Sequence, residues 1–215
     1  MRAEKIGQKM TATCAVGLSL SLCSACNSMP VATKTKLPGI RETMALKGVS
    51  INQIRVHLLD FSNAGQSFSL DNLIVTPVSD DDNFKSAYGA LITIGNSASE
   101  HREVLEKDEV VQLSKEFDQL GGFIKSADSK EISELRFYVN NDPPVEFVAS
   151  VPQNGTPSMA ISCGDASLLV EGKSEMAKVV SAICNGLKTA IEVIKEGEKK
   201  QEPKPSSSLP PLGPS

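Results

Sequence analysis

The chain has few of the residue types from which recognisable chemical sites are built. Its 215 residues include two histidines and no tryptophan, and aromatic residues make up only 4% of them. Scarce aromatic faces weaken the case for carbohydrate or quaternary-ammonium recognition, which relies on stacked rings. The net charge is −4 and the lysines and arginines form no concentrated patch, so no nucleic-acid partner is expected.

Common catalytic motifs are missing as well. The sequence contains no GxGxxG or GxxxxGK[ST] phosphate loop, no HExxH zinc motif and no GxSxG nucleophile turn. We therefore expect no motif-based catalytic residues, no metal and no cofactor.

The first residues carry the strongest local signal. Arg2, Lys5 and Lys9 give a basic start, and Met10–Leu22 then runs without a charge. This run falls short of the roughly 20 apolar residues that a membrane-spanning helix needs. It ends at Cys23-Ser24-Ala25-Cys26, where small residues precede a cysteine. The order basic, apolar, small is typical of a secretory signal peptide.

With its final cysteine, this segment resembles the signal of a bacterial lipoprotein. The resemblance covers only the first 26 residues and identifies no family for the body of the chain. It implies that residues 1–25 are removed and that Cys26 is acylated, for example with palmitate. The membrane is then a partner through the lipid anchor, on the periplasmic or outer-membrane face of the envelope. Two alternatives stay open: ordinary secretion after cleavage behind Ala25, and a cytosolic protein with a chance apolar N-terminus.

Two cysteines lie in the body of the chain, Cys163 and Cys184. In an oxidising compartment they could form one disulfide, which would contribute about 3 kcal/mol in the chain-entropy model. The alternative is a pair of buried free thiols that act as small apolar side chains.

The pattern divides the chain into a tether at 26–46, a single globular domain at 47–200 and a Pro/Ser-rich tail at 201–215. The tether contains prolines, threonines and lysines with little periodicity. The tail has too few apolar residues to pack and is expected to be disordered.

Within the domain, alternation and helical periodicity predict seven strands and two helices in the order βββαββββα. The fold class is therefore α+β, an antiparallel sheet with two amphipathic helices packed on one face. The predicted strands cover Ser50–Phe61, Asn72–Val78, Ser86–Ile94, Glu134–Val139, Val145–Val151, Ser158–Cys163 and Ser167–Glu171. The predicted helices cover Asp108–Ile124 and Glu175–Glu198, and the second has the clearest apolar stripe. Ile183, Leu187 and Ile191 lie centrally on that stripe and are expected to be buried.

Two function classes follow from these observations. The first is a membrane-anchored envelope module without catalysis, which binds another envelope protein or helps to assemble a complex. The second is a periplasmic or secreted hydrolase with a site built from scattered residues, His57, His101 and the acidic turn at 80–83. A secreted inhibitor or immunity-type protein is a third alternative.

Overall fold

The computed structural model describes residues 37, 39–78, 85–127, 133–139 and 143–201. The signal segment with Cys26, the acidic turn at 80–83 and residues 202–215 lie outside this part, so the predictions made for them stay predictions. None of the described helices is both long enough and apolar enough to cross a membrane.

The strands form two antiparallel meanders of four strands each, so the predicted α+β class is confirmed. Sheet A contains β1 (Ser50–Asn63), β2 (Gln66–Val78), β3 (Ala87–Gly95) and β4 (Glu100–Leu105), in that order. Sheet B contains β5 (Ser133–Val139), β6 (Val145–Val151), β7 (Ser158–Cys163) and β8 (Ala166–Glu171). The helices are α1 (Ile40–Met44), α2 (Lys107–Ser126) and α3 (Lys173–Gln201). A meander followed by a long helix thus occurs twice along the chain.

Three features differ from the sequence prediction. The strands divide into two sheets rather than one. The short strand β4 was not predicted, because Glu100–Glu103 is entirely polar and shows no alternation. The helix α1 lies inside the interval assigned to the tether, so that boundary is wrong from residue 39 onwards. Its five residues are too few to show a period, although Ile40 and Thr43 are buried.

The main core lies between the two sheets and the two long helices. Phe117 of α2 packs edge-on against Phe137 of β5 and Phe147 of β6, with ring centroids 5.4 and 5.1 Å apart. Gly186 of α3 lies against Leu70 of sheet A, close enough that an added Cβ would be 3.0 Å from a Leu70 methyl carbon. The two long helices pack on each other, and each of them contacts strands of both sheets.

The apolar stripe of α3 is buried largely as predicted. Ile183 and Leu187 have no exposed surface, whereas Ile191 is only partly buried. Residues spaced by three and four positions form one continuous buried face, which explains why the helix could be identified from sequence.

A second, smaller core lies on the opposite face of sheet A. The buried residues of β2 switch from one face of sheet A to the other along the strand. Phe68 and Leu70 lie in the main core, whereas Leu73 and Val75 lie in the second core. Ile40 of α1 covers this second core. Because a strand alternates its side chains, this change requires two consecutive buried positions, Asn72 and Leu73.

Candidate functional site

The ends and edges of the two sheets carry the most informative contacts of the molecule. Among the described strands, the first and last of each meander are edges: β1 and β4 in sheet A, β5 and β8 in sheet B. An edge strand presents unpaired backbone N–H and C=O groups that can pair with another chain. The side chains that pair or cover the backbone of each edge strand therefore indicate where the domain could bind a partner.

The edge at β8 is closed by side chains from the tip of the β1–β2 hairpin. Leu169 N–H donates to Oε1 of Gln66 at 2.9 Å, and Nδ2 of Asn63 donates to Leu169 O at 3.1 Å. Both outward backbone groups of Leu169 are thus paired. The turn that places these side chains has Ala64 at φ 48° and Gly65 at φ 79°, as a two-residue type I′ hairpin turn requires.

The edge at β4 is covered by Arg41 of α1. Nη2 of Arg41 donates to Val104 O at 2.5 Å and to Oε1 of Glu103 at 3.0 Å, and Nη1 donates to Oε1 of Glu109 at 2.8 Å. Desolvation lowers the pKa of Arg41, but the bonds to Glu109 and Glu103 and their charges outweigh it and raise that pKa. The guanidinium therefore stays charged and ties α1 to β4 and α2.

Glu106 holds the other side of α1. Its Oε2 accepts from the N–H of Ile40 at 3.0 Å and its Oε1 from the N–H of Arg41 at 2.8 Å. The same residue is the N-cap of α2, in a capping box completed by Oε2 of Glu109, which accepts from Glu106 N–H at 2.7 Å. One carboxylate thus caps two helices.

The edge at β5 carries a network of exposed charges. Arg136 pairs with Oε1 of Glu134 at 3.1 Å and with Oε1 of Glu146 at 3.0 Å. The Tyr138 side chain is the largest cause that raises the pKa of Arg136, followed by the charges of Glu146 and Glu134. Charged side chains on an edge strand disfavour pairing with another apolar strand.

Among the described residues, the edge at β1 has no side chain bonded to its outward backbone groups, and its charged groups over residues 50–57 are Arg55 and the His57–Asp71 pair. Asn52–His57 is exposed on both faces of the strand. Ile54 and Val56 are 55% and 44% exposed, although the register places them on the same face as the buried Leu70. Arg55 has no ion-pair partner within the described part of the chain. We call the segment Ser50–His57 the open edge.

A bulge marks the end of the open edge. The register of β1 against β2 shifts between His57 and Leu59. Beyond it, Leu58, Leu59 and Phe61 pack against the main core. A bulge bends a strand and increases its twist, so the part of β1 available for straight pairing is the open edge itself.

A buried amide lies beside the open edge. Asn72 of β2 is 1% exposed and pairs in register with Val56 on one side and Ala90 on the other. Neither its Nδ2 nor its Oδ1 has a hydrogen-bond partner among the described residues. An unpaired buried polar group lowers the stability of the folded state by about 1–3 kcal/mol, so Asn72 destabilises this part of sheet A.

The structure does not bring the two histidines together. Nδ1 of His57 lies 2.9 Å from Oδ1 of Asp71, and Nε2 of His101 lies 3.8 Å from Oε2 of Glu103. The strand registers place the two histidines on opposite faces of sheet A. In the described part of the chain, no group of three or more His, Cys, Asp or Glu residues is arranged to hold a metal ion.

A cleft of about 770 Å³ lies where the start of α2 meets the end of α3. Glu42, Tyr88, Asp108 and Glu198 are among the residues that line it, and neither histidine is. Lys107 pairs with Glu198.

Cys163 and Cys184 are free thiols, and both are buried, so the structure does not contain the possible disulfide between them. Burial is the main cause that raises the pKa of each thiol, with Glu103 contributing at Cys163 and Asp118 at Cys184. The thiol of Cys163 donates to Pro143 O at 3.6 Å. A raised pKa keeps both thiols protonated near neutral pH and makes them poor nucleophiles.

The sequence pattern did not indicate the residues that decide this site. The alternation of Ile54, Val56 and Leu58 predicted a strand correctly, but it did not show that two of the three would stay exposed. The residues Ser62–Gly65 predict a turn that includes Asn63, and Gln66 follows it, but their bonds to the backbone of β8 join residues more than 100 positions apart.

No protein-family model, curated protein or solved structure matches this chain.

Proposed function

We propose that the chain is a membrane-anchored envelope lipoprotein whose domain is a non-catalytic module for binding or assembling envelope proteins. The observation that carries this proposal is the open edge, a strand with two exposed apolar side chains and, within the described part of the chain, no side chain bonded to its outward backbone groups. Edge strands of this kind add a strand from a partner, whose main chain provides affinity and whose alternate side chains provide specificity.

The anchor part of the proposal rests on Cys26 and the segment before it. Cys26→Ser removes the acceptor thiol, so we expect this variant to stay unprocessed or to leave the membrane fraction. Labelling with an alkyne fatty acid tests the same point directly. Absence of label on the wild-type protein would refute lipidation and leave the secreted alternative.

The binding part is tested by photo-crosslinking at single positions. A benzophenone amino acid at Ile54 is expected to form adducts with a partner in envelope membranes. The matched control is the same amino acid at Tyr138, which is 51% exposed but lies on the charged edge at β5. Equal adduct yields at the two positions, or none at either, would contradict binding through the open edge.

A periplasmic or secreted hydrolase is the second candidate, and the pair of His57 and Asp71 is the observation in its favour. Against it stand the placement of the histidines on opposite faces of sheet A and their distance in register from one another. Fluorogenic ester and peptide substrates test it with the purified chain. Turnover that disappears in His57→Ala would replace the binding proposal with this one.

A further inference from the structure

The charges of the open edge restrict what its partner can be. Its side chains alternate between a face with Asn52, Ile54 and Val56 and a face with Ile51, Gln53, Arg55 and His57. Ser50–His57 contains one arginine and no carboxylate, in a chain whose net charge is −4. The nearby carboxylate of Asp71 already accepts from His57. An added strand would thus meet Arg55, which has no ion-pair partner among the described residues, on one face and the apolar side chains of Ile54 and Val56 on the other.

A second copy of this chain is a poor match for that surface. Its own open edge offers no carboxylate to Arg55. In an antiparallel pair with two-fold symmetry centred on Arg55, the two arginines would lie directly opposite each other, and like charges in that position are destabilising. Shifting the centre to Ile54 removes this repulsion but places only Gln53 opposite Arg55.

The chain's own C-terminal residues fit no better. Proline recurs through residues 202–215, as at Pro203, Pro205 and Pro210. Proline has no N–H to donate to a strand ladder. The same residues include a single acidic side chain, Glu202.

We infer that the open edge takes an extended segment of another protein that alternates apolar and acidic side chains, added as a fifth strand beside β1. The apolar residues of that segment cover Ile54 and Val56, and a carboxylate pairs with Arg55. At about 3.3 Å per residue, the eight positions Ser50–His57 accommodate a partner strand of up to about 26 Å. This inference rests on the proposed binding function and specifies its partner.

The test uses two synthetic peptides of equal length, fluorescein-labelled Val-Glu-Val-Glu-Val-Glu-Val and Val-Lys-Val-Lys-Val-Lys-Val. Fluorescence anisotropy with the full chain in detergent is expected to show at least tenfold tighter binding of the acidic peptide at low salt. The preference is expected to shrink as salt rises, because exposed ion pairs are screened. Hydrogen exchange is expected to slow in residues 50–57 when the acidic peptide binds.

Variants separate charge from apolar contact. Arg55→Glu is expected to reverse the preference between the peptides, and Ile54→Lys to weaken both by at least tenfold. Glu134→Lys and Arg136→Glu, on the edge at β5, serve as charge-matched controls and are expected to leave the acidic peptide's affinity within twofold. Circular dichroism confirms that each variant is folded.

Three outcomes would overturn the inference. Equal binding of the two peptides, or no binding of either, removes the charge argument. An unchanged preference in Arg55→Glu places the binding elsewhere. A dimer in sedimentation that Ile54→Lys abolishes makes the second copy the occupant. If crosslinks still form at Ile54 while the acidic peptide does not bind, the proposed function stands and only this description of the partner fails.

Discussion

The two ends of the β1–β2 hairpin lie at two sheet edges that differ: the tip covers the edge at β8, whereas the other end carries the open edge of β1. At the tip, Asn63 and Gln66 use their side-chain amides to pair the backbone of β8, so that edge is closed. Away from the tip, β1 itself is exposed on both faces over six residues. Both are edges of four-stranded sheets of the same domain. Natural proteins usually protect such edges, so the edge whose backbone is bonded by no described side chain is the better surface for binding.

The difference also shows in the apolar side chains. Leu169 on β8 is 41% exposed, but its outward N–H and C=O are both bonded to side chains of the hairpin tip. Ile54 is 55% exposed, and none of the described side chains bonds to the outward backbone groups of the open edge beside it. An exposed leucine alone needs no explanation, whereas exposed apolar side chains on an edge strand with one open side form a binding or aggregation surface.

The largest expected effect concerns the scaffold beneath both edges. Leu187 of α3 is fully buried in the main core, and Leu187→Ala is expected to lower the free energy of unfolding by about 2–5 kcal/mol. Leu169→Ala, at an exposed position, is the control and is expected to cost less than about 0.5 kcal/mol. Urea denaturation measures both. Equal midpoints for the two variants would mean that α3 contributes no core packing.

The second prediction concerns the unpaired buried amide of Asn72, which lies beside the open edge. Asn72→Leu replaces an unpaired buried amide with an apolar side chain of similar shape. We expect it to raise the free energy of unfolding by about 1–3 kcal/mol, the cost of an unsatisfied buried polar group. Thermal unfolding monitored by circular dichroism checks the sign. A loss of stability would show that the amide is paired in solution.

The third prediction removes the difference between the two edges by deleting the side chains that bond to the backbone of β8. In the double variant Asn63→Ala and Gln66→Ala, the outward N–H and C=O of Leu169 lose their partners. Each lost bond is expected to cost about 0.5–1.5 kcal/mol. Hydrogen exchange at Leu169 is expected to accelerate in this variant while β6, in the middle of sheet B, keeps its rate. Unchanged exchange at Leu169 would contradict its capping by the hairpin tip.

The smallest expected effect is on stability at the open edge. Ile54→Thr keeps a β-branched side chain at an exposed strand position, so the free energy of unfolding should change by less than about 0.5 kcal/mol. Denaturant titration measures the free energy of unfolding of this variant, and Leu187→Ala, titrated under the same conditions, gives the size of a large loss for comparison. A loss above 2 kcal/mol would mean that Ile54 is covered in solution, and the open edge would then not be open.

The sequence was a good guide where the physical signal is local. The stripe of α3 follows from residues three and four positions apart, and the turns of sheet B were marked by Asn, Gly and Pro. It was a poor guide where a distant segment decides. Burial at β1 depends on whether another element covers Ile54, and alternation alone cannot show that. The polar strand β4 exists because Arg41 and β3 flank it, which no local pattern of Glu100–Glu103 contains.

The shared cap at Glu106 has a consequence for the order of folding. Its two bonds to α1 join residues 66 and 65 positions apart in the chain. Closing such a long loop lowers the conformational entropy of the chain before the contacts can compensate for it. We therefore expect α1 to dock only after the first turn of α2 has formed and placed Glu106. During synthesis, the residues of α1 leave the ribosome first and find their cap late. In the finished protein the same short helix should open first, uncovering Leu73 and Val75 while the main core stays closed.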